Sequence, residues 1–409
     1  SSSRSLFPLE SLQLAMSIAK GGGTCRPVRS KVVDLTASMT ALAGAALNTC
    51  GRFAVPAGTP IILNVCLISA AFIDPDSVRV LAIGVFAAGV LQLLFQLPWL
   101  AQAGLWPRPR WGGGDPQVRR IVRLMGPIVF GSSVAQISLL LDTVIASLLF
   151  AGSLSWLYFA DRLMEFPLGI FSIAVATVIL PGLSAEHVSR SAERFSATID
   201  WALRILLLLA LPATAGLLLL AGPLVSTLFQ HGQFSLRDLD MTRWALMAYA
   251  FAFLGISLVK VLVPAFYSRQ QTMVPVRYAV IALGTGMSLS LVLVGLCLWL
   301  DLPAPHVALA LATSSSSLLN AALLLRRLRR DGVYRPSAQW PAYLLRLLVA
   351  VTLMGAVVVW LAGPLSSWSE AALAERVLRL GGVIAAAGLT YFASLALMGV
   401  RPSDLRMRA

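Results

Sequence analysis

Apolar stretches of about 20 residues recur eleven times along this chain, the length an α-helix needs to cross the ~30 Å hydrocarbon core of a bilayer. Lipid admits only structures whose backbone groups are satisfied internally, so spanning segments are helices or closed barrels. The stretches do not alternate polar with apolar positions, which excludes barrel strands and leaves an all-α polytopic membrane protein. Composition agrees: 58% of the 409 residues are hydrophobic and 12% are charged. Soluble domains carry about a quarter charged residues. The mean hydropathy is +0.81.

The predicted spans are 32–51, 59–74, 79–101, 120–150, 155–182, 200–229, 243–268, 275–300, 305–326, 343–362 and 376–399. Turn formers punctuate them, among them Asp74-Pro75-Asp76, Trp106-Pro107, Gly222-Pro223, Asp301-Leu302-Pro303 and Gly363-Pro364. Pro127, Pro167, Pro212 and Pro264 fall inside spans and predict kinked helices. The net charge of +14 does not mark a nucleic-acid binder, because the arginines gather in alternate loops. Twenty lie on one side, from Arg52 to Arg408, against five on the other: Arg79, Arg237, Arg243, Arg376 and Arg379. The positive-inside rule puts the richer set and the C-terminus in the cytoplasm. Trp99, Trp156, Trp201, Trp244, Trp299, Trp340 and Trp360 sit near span ends, where an aromatic belt is expected.

A weak internal repeat pairs Arg52 and Thr59-Pro60 with Arg269 and Val274-Pro275, six spans later. An even separation means a parallel repeat, the pattern of two-lobed transporters. The implied organisation is an unmatched segment at 1–31, a first-lobe remnant of three helices at 32–104, a second lobe of six at 118–330, and two terminal helices at 340–400. Matching lobes would require three more helices before Val32, so the chain is read as lacking its first three, with about 11 of an expected 14 present. Cys25, Cys50, Cys66 and Cys297 have no C-x-x-C spacing and read as small buried hydrophobes. His187, His231 and His306 are far apart, so no zinc site is legible. The triple glycines at 21–23 and 112–114 lack a nucleotide-phosphate frame. A transporter without covalent chemistry is the expectation.

Ionisable groups cost about 2.5–3.5 kcal/mol each at the centre of a spanning helix. The fifth span nevertheless holds Tyr158, Asp161, Arg162 and Glu165 beyond its opening Ser155. Tyr158, Arg162 and Glu165 share a face at i, i+4 and i+7. Either Arg162 pairs with Glu165 or Asp161 as a self-neutralised structural cluster, or it anchors an anionic head group, for which a planar guanidinium is suited. Asp142 in the fourth span is a candidate for binding Na⁺ or a proton, or for pairing with a basic residue, with Thr313 a second candidate for that ion site. Lys260 reads as snorkelling toward the cytoplasm, and Thr313–Ser317 as small-residue helix packing. Arg326, Arg327, Arg329 and Arg330 read as a helix-end anchor for anionic phospholipids.

The stretch Trp156-Leu157-Tyr158-Phe159-Ala160-Asp161-Arg162-Leu163-Met164-Glu165-Phe166-Pro167 resembles the MurJ (MviN) family of bacterial lipid II flippases, in the multidrug/oligosaccharidyl-lipid/polysaccharide exporter superfamily. Leu47-Asn48-Thr49 with Arg52-Phe53, Gln92 through Pro98, Gln136-Ile137-Ser138, Leu180-Pro181, Val259-Lys260-Val261 and Phe266–Gln270 carry the same likeness. The resemblance spans about Val32–Val400. It implies a V-shaped, two-lobed, fourteen-helix transporter of the inner membrane with a central cationic cavity. Its last two helices would form a groove for the undecaprenyl tail of lipid II, an undecaprenyl-diphosphate-linked disaccharide-pentapeptide. Arg162 would bind the head group with Glu165 beside it, Asp161, Tyr158 and Ser155 near them, and Lys260, Arg52 and Arg269 as secondary candidates. Asp142 falls on a sodium-ligand position of some members, but span eight offers only Ser288 and Ser290 as partners. The implied coupling ion is Na⁺ or H⁺, with no other cofactor. A polysaccharide-repeat or drug/cation exporter of the superfamily, or an inactive fragment, is the alternative.

Overall fold

The computed structural model describes residues 28–50, 52–74, 77–105, 116–169, 192–232 and 234–400. Among them the secondary structure is helical, without a strand: α1 (Val28–Thr49), α2 (Ala54–Ile73), α3 (Val78–Gln102), α4 (Pro116–Ser147), α5 (153–169), α6 (Ala192–Leu219), α7 (Ala221–Phe229), α8 (Leu236–Tyr267), α9 (Met273–Trp299), α10 (His306–Arg330), α11 (Trp340–Ala362), α12 (Ser366–Ser369) and α13 (Leu373–Leu397). Over its described residues each predicted span falls on helix, 200–229 on two. Among the described residues, eight helices are long and apolar enough to cross a membrane by length and composition: α2, α3, α6, α8, α9, α10, α11 and α13. The second half of the fifth predicted span, Leu180-Pro181, His187 and Cys25 lie outside the described residues.

The predicted span 200–229 is two helices, separated at Leu220 (φ −98°, ψ 12°). Pro223 is the cause: it has no N–H to donate, and its ring crowds the carbonyl four residues back, that of Leu219. Pro212 and Pro264, by contrast, are accommodated inside α6 and α8. The cysteines are less buried than expected, since Cys50 is exposed and Cys66 and Cys297 are half-buried.

The chain divides into two compact units, Ser1–Gly113 and Gly114–Ala409. In the first, α1 and α2 pack against α3 through small residues. A Cβ on Gly84 would stand 2.9 Å from that of Ala70, and one on Gly89 would stand 2.9 Å from Thr36 Oγ1. The small core is Ala43, Leu47, Val55 and Leu100, while Ile61, Val65, Ile68 and Phe72 point outward from α2. Outward apolar side chains are what a lipid-facing helix presents.

The second unit is built around α8, which buries Ala245, Leu246, Ala248, Ala250, Ala252 and Phe253 against its neighbours. Its start is fixed by a capping box in which Ser235 and Asp238 exchange side-chain and backbone hydrogen bonds. The serine run of α10 supplies the helix packing expected of it. Ser314 donates to the Ala248 carbonyl at 2.7 Å and Ser316 to the Ala282 carbonyl at 2.7 Å. Helices that approach this closely need small residues at the crossing.

A second apolar cluster joins α6 to α11 and α13 through Leu208, Leu347, Met354, Val358, Val383 and Tyr391. Polar junctions close both ends of it. At one end Asp200 accepts from Arg204 Nε at 2.9 Å, from the Tyr334 hydroxyl at 2.9 Å and from Trp340 Nε1. Arg204 lies over the rings of Trp340 and Tyr343 and also donates to Ser337. Burial, reinforced by the Asp200 carboxylate, pushes the Tyr334 hydroxyl well above its ordinary pKa. At the other end Arg376, buried, donates to the carbonyls of Ala371, Ser226 and Ser369 and to Gln230 Oε1, at 2.7–3.0 Å. Trp340 and Trp156 therefore serve as hydrogen-bond donors inside the fold, whereas Trp299 and Trp360 are exposed as belt residues would be.

At Gly255 the backbones of α8 and α10 approach closely. A Cβ there would lie 2.7 Å from Leu318 N and Ser317 C, backbone atoms that cannot move aside. Gly255→Ala is expected to destabilise the protein by about 1–3 kcal/mol, the usual range for overpacking. Gly284→Ala, with nothing within 4 Å of the new Cβ, should not. Thermal unfolding of the two purified variants in detergent checks the contrast, and equal melting temperatures would refute the close-packing account.

Candidate functional site

Helix α5 starts where Gly152 takes φ +96°, a conformation that L side chains rarely adopt. A Cβ at that position would also meet the Trp156 ring at 2.8 Å. The buried Trp156 donates from Nε1 to Asp238 Oδ1 at 2.7 Å, so the start of α5 is tied to the capping box of α8. Leu157, Ala160, Met164 and Leu168 form the inward face of α5 and join the main core of the second unit. That packing leaves the polar residues of the motif on the other side.

Arg162 is half-exposed, and its Nη1 donates to Glu165 Oε2 at 2.6 Å, with the guanidinium 5.0 Å from the centre of the Tyr158 ring. The predicted Tyr158–Arg162–Glu165 face therefore exists, and Arg162 pairs with Glu165. Asp161 is half-buried on the same turn, and Ser155 is exposed one turn before Tyr158. Lys260 of α8 is exposed and lies within electrostatic reach of Glu165. Two positive groups, Arg162 and Lys260, and two negative ones, Asp161 and Glu165, thus share this region. An exposed ion pair is worth about 0–1 kcal/mol, so the Arg162–Glu165 bond adds little to stability.

The other candidates are dispersed. Asp142 of α4 accepts from Thr313 Oγ1 of α10 at 3.5 Å, which brings the two predicted ion-site residues together. Ser288 donates to Gly284 of its own helix and Ser290 is buried. Among the described residues no three His, Cys, Asp or Glu side chains cluster as a metal site. In the first unit Arg52 donates to the Trp99 carbonyl at 3.3 Å and to Gln102 Oε1 at 3.2 Å, clasping the α1–α2 turn to the end of α3. Arg269 sits in the α8–α9 turn beside Gln270 (φ 57°), and its Nη1 is buried with no hydrogen-bond partner among the described residues.

Sequence reasoning does not reach the Asp200 and Arg376 junctions, because the partners that join them to other helices, Tyr334 and Trp340 for the first and Ser226 and Gln230 for the second, lie 134–150 residues away along the chain. The available signal was the position of these charges at the edges of apolar segments, which reads equally as orientation of the chain in the bilayer.

The fold and the buried polar connections define a multi-pass α-helical membrane protein. The family model described as "Lipid II flippase MurJ" matches residues 34–378, and the chain belongs to that family. A protein of Vibrio cholerae serotype O1 named "Probable lipid II flippase MurJ" is 44% identical over 373 residues, covering 90% of this chain and 70% of the relative. A Haemophilus influenzae protein of the same name is 42% identical over 378 residues, covering 90% of this chain and 72% of its own length. A solved structure of "Lipid II flippase MurJ, inward closed conformation" superposes with a TM-score of 0.69 at 20% identity, covering 95% of this chain and 81% of that one. That likeness shows the shared fold.

Proposed function

We propose that this protein moves lipid II from the cytoplasmic to the outer leaflet of the bacterial inner membrane, with its C-terminus in the cytoplasm. The observation that carries the reading is Arg162, a half-exposed guanidinium on the Ala160–Pro167 motif whose carboxylate partner is held only by an exposed bond. Family membership supplies the substrate class. A diphosphate presents a denser array of anionic oxygens than Glu165 and can take both arms of the guanidinium. Lys260, on the neighbouring helix, adds a second cation within reach of the same carboxylate. In this reading the diphosphate takes the place of Glu165 on the Arg162 guanidinium, and the cavity's cationic character comes from Arg162 and Lys260. Asp142 with Thr313 is the proposed coupling-ion position, for Na⁺ or H⁺, and membrane potential, worth about 2.3 kcal/mol per charge per 100 mV, is the proposed drive.

Arg162→Ala is expected to abolish growth of a strain depending on this flippase, and Arg162→Lys to keep part of it. The same order should appear in lipid II transfer by proteoliposomes under an imposed potential. Wild-type growth with Arg162→Ala would overturn the assignment.

The two last long helices, α11 and α13, are proposed to hold the polyprenyl tail. Leu345, Leu348, Val359, Leu378, Leu389 and Phe392 expose an apolar surface along them. A photoactivatable polyprenyl-diphosphate probe should label α11 and α13, and labelling confined to α4–α10 would count against the groove.

Anionic phospholipids are proposed to bind the end of α10, where Arg326, Arg329 and Arg330, with Ala322 and Leu325, line a cleft of about 410 Å³. Replacing the three arginines by Gln should reduce the anionic lipid that co-purifies with the protein. Unchanged retention would refute the site.

A further inference from the structure

Arg162 stands at the end of a stack of aromatic rings. The first ring is Tyr158, whose centre lies 5.0 Å from the guanidinium carbon. Phe159, its neighbour on α5, follows at 5.9 Å between ring centres, with the planes inclined at 64°. Phe159 packs in turn on Phe229, the last residue of α7, at 4.7 Å, and edge-on against Phe234, just before the cap of α8, at 5.8 Å. Tilted and edge-on pairs at about 4.5–7 Å are favoured geometries between aromatic rings. The turn that carries Phe229 and Phe234 is itself secured, because Gln230 Oε1 accepts from Ser226 Oγ at 2.6 Å and from the buried Arg376 at 3.0 Å. Trp156 ties the start of α5 to Asp238. Tyr158, half-buried, is thus braced through its ring and through its backbone.

An exposed arginine has many rotamers, and fixing it on a ligand lowers affinity unless its plane is already set. Two groups hold the Arg162 guanidinium, and they differ in what happens when an anion arrives. Glu165 takes an N–H at the edge of the fork, Nη1, and that bond is given up when a phosphate replaces the carboxylate. The Tyr158 ring lies inside the ~6 Å range of a cation–π contact, and a ring contact leaves the N–H groups free for the anion. Tyr158 therefore keeps its hold through the exchange, and its hold is firm because the rings behind it do not let it swing.

We propose that Tyr158, with Phe159, Phe229 and Phe234 behind it, is a positioning residue that sets the plane of the Arg162 guanidinium for a phosphate group bound through both arms. The assignment rests on the head-group reading of Arg162 above. It adds to that reading the device that keeps the arginine oriented once Glu165 has let go.

The test is equilibrium binding of polyprenyl diphosphate to the purified full chain in detergent. Tyr158→Phe keeps the ring and should bind as the wild type does. Tyr158→Leu should weaken binding about fivefold, the effect of losing one cation–π contact. Phe229→Leu, which removes the ring behind Phe159, should weaken it about threefold. Combined with Arg162→Lys, each leucine substitution should cost less than about twofold beyond Arg162→Lys alone, because an ammonium has no plane to set. A general folding defect would instead lower affinity equally with and without Arg162→Lys, and that result would overturn the positioning role. Unchanged binding by Tyr158→Leu would overturn it too, as would a loss from Tyr158→Phe as large as that from Tyr158→Leu, which would assign the effect to the hydroxyl. In these three cases a weakened Arg162→Ala leaves the head-group reading standing. Absence of binding by the wild type, or equal binding by Arg162→Ala and the wild type, overturns the head-group reading and the positioning role together.

Discussion

Hydrocarbon offers no hydrogen bonds, so each polar group carried into it must be answered from within the protein, and the second unit is organised by that demand. Its helices are joined by hydroxyls that reach across to carbonyls of neighbouring helices, as Ser314 and Ser316 do, and by a tyrosine, Tyr391, whose hydroxyl donates to the Leu208 carbonyl at 2.6 Å. Where an arginine is buried, at Arg376, its charge is spread over three backbone carbonyls and a glutamine oxygen instead of a single carboxylate. Neutral acceptors avoid burying a second charge, and the carbonyls at helix ends and in turns are there to be used.

This distribution explains why Arg162 stands apart. Its partner is a carboxylate one turn away on the same helix, and both side chains are half-exposed. A bond between exposed neighbours exchanges readily, whereas two of the Arg376 bonds, to Ser226 and Gln230, knit together segments distant in sequence. The same residue type therefore performs two tasks, and burial with the range of the contact separates them.

The helices were legible because their signal is local: membrane-length apolar runs, prolines, and charges at their ends. The division of 200–229 into α6 and α7 was not read, although Gly222-Pro223 signals a break there, because the hydropathy runs straight across it. The face shared by Tyr158, Arg162 and Glu165 followed from helical spacing, and its motif also carried the family likeness. What escaped was long-range. Nothing near Asp200 in sequence announces Tyr334 or Trp340, and nothing near Gln96 announces that its amide has no partner among the described residues. Trp156 and Trp340 were open to misreading for a related reason, since a tryptophan at a span end suits either an interface or a buried hydrogen bond.

The terminal pair α11 and α13 is pinned at three depths: through Trp340 and Tyr343 to Asp200 and Arg204, through Tyr391 to Leu208, and through Arg376 to Ser226 and Gln230. A plate fastened along one edge can swing, but one fastened at top, middle and bottom cannot turn without shearing several attachments at once. Torque applied to α6 and α7 is accordingly delivered to α11 and α13 without slack, and a lipid tail lying on that pair would be carried as cargo on a rigid frame.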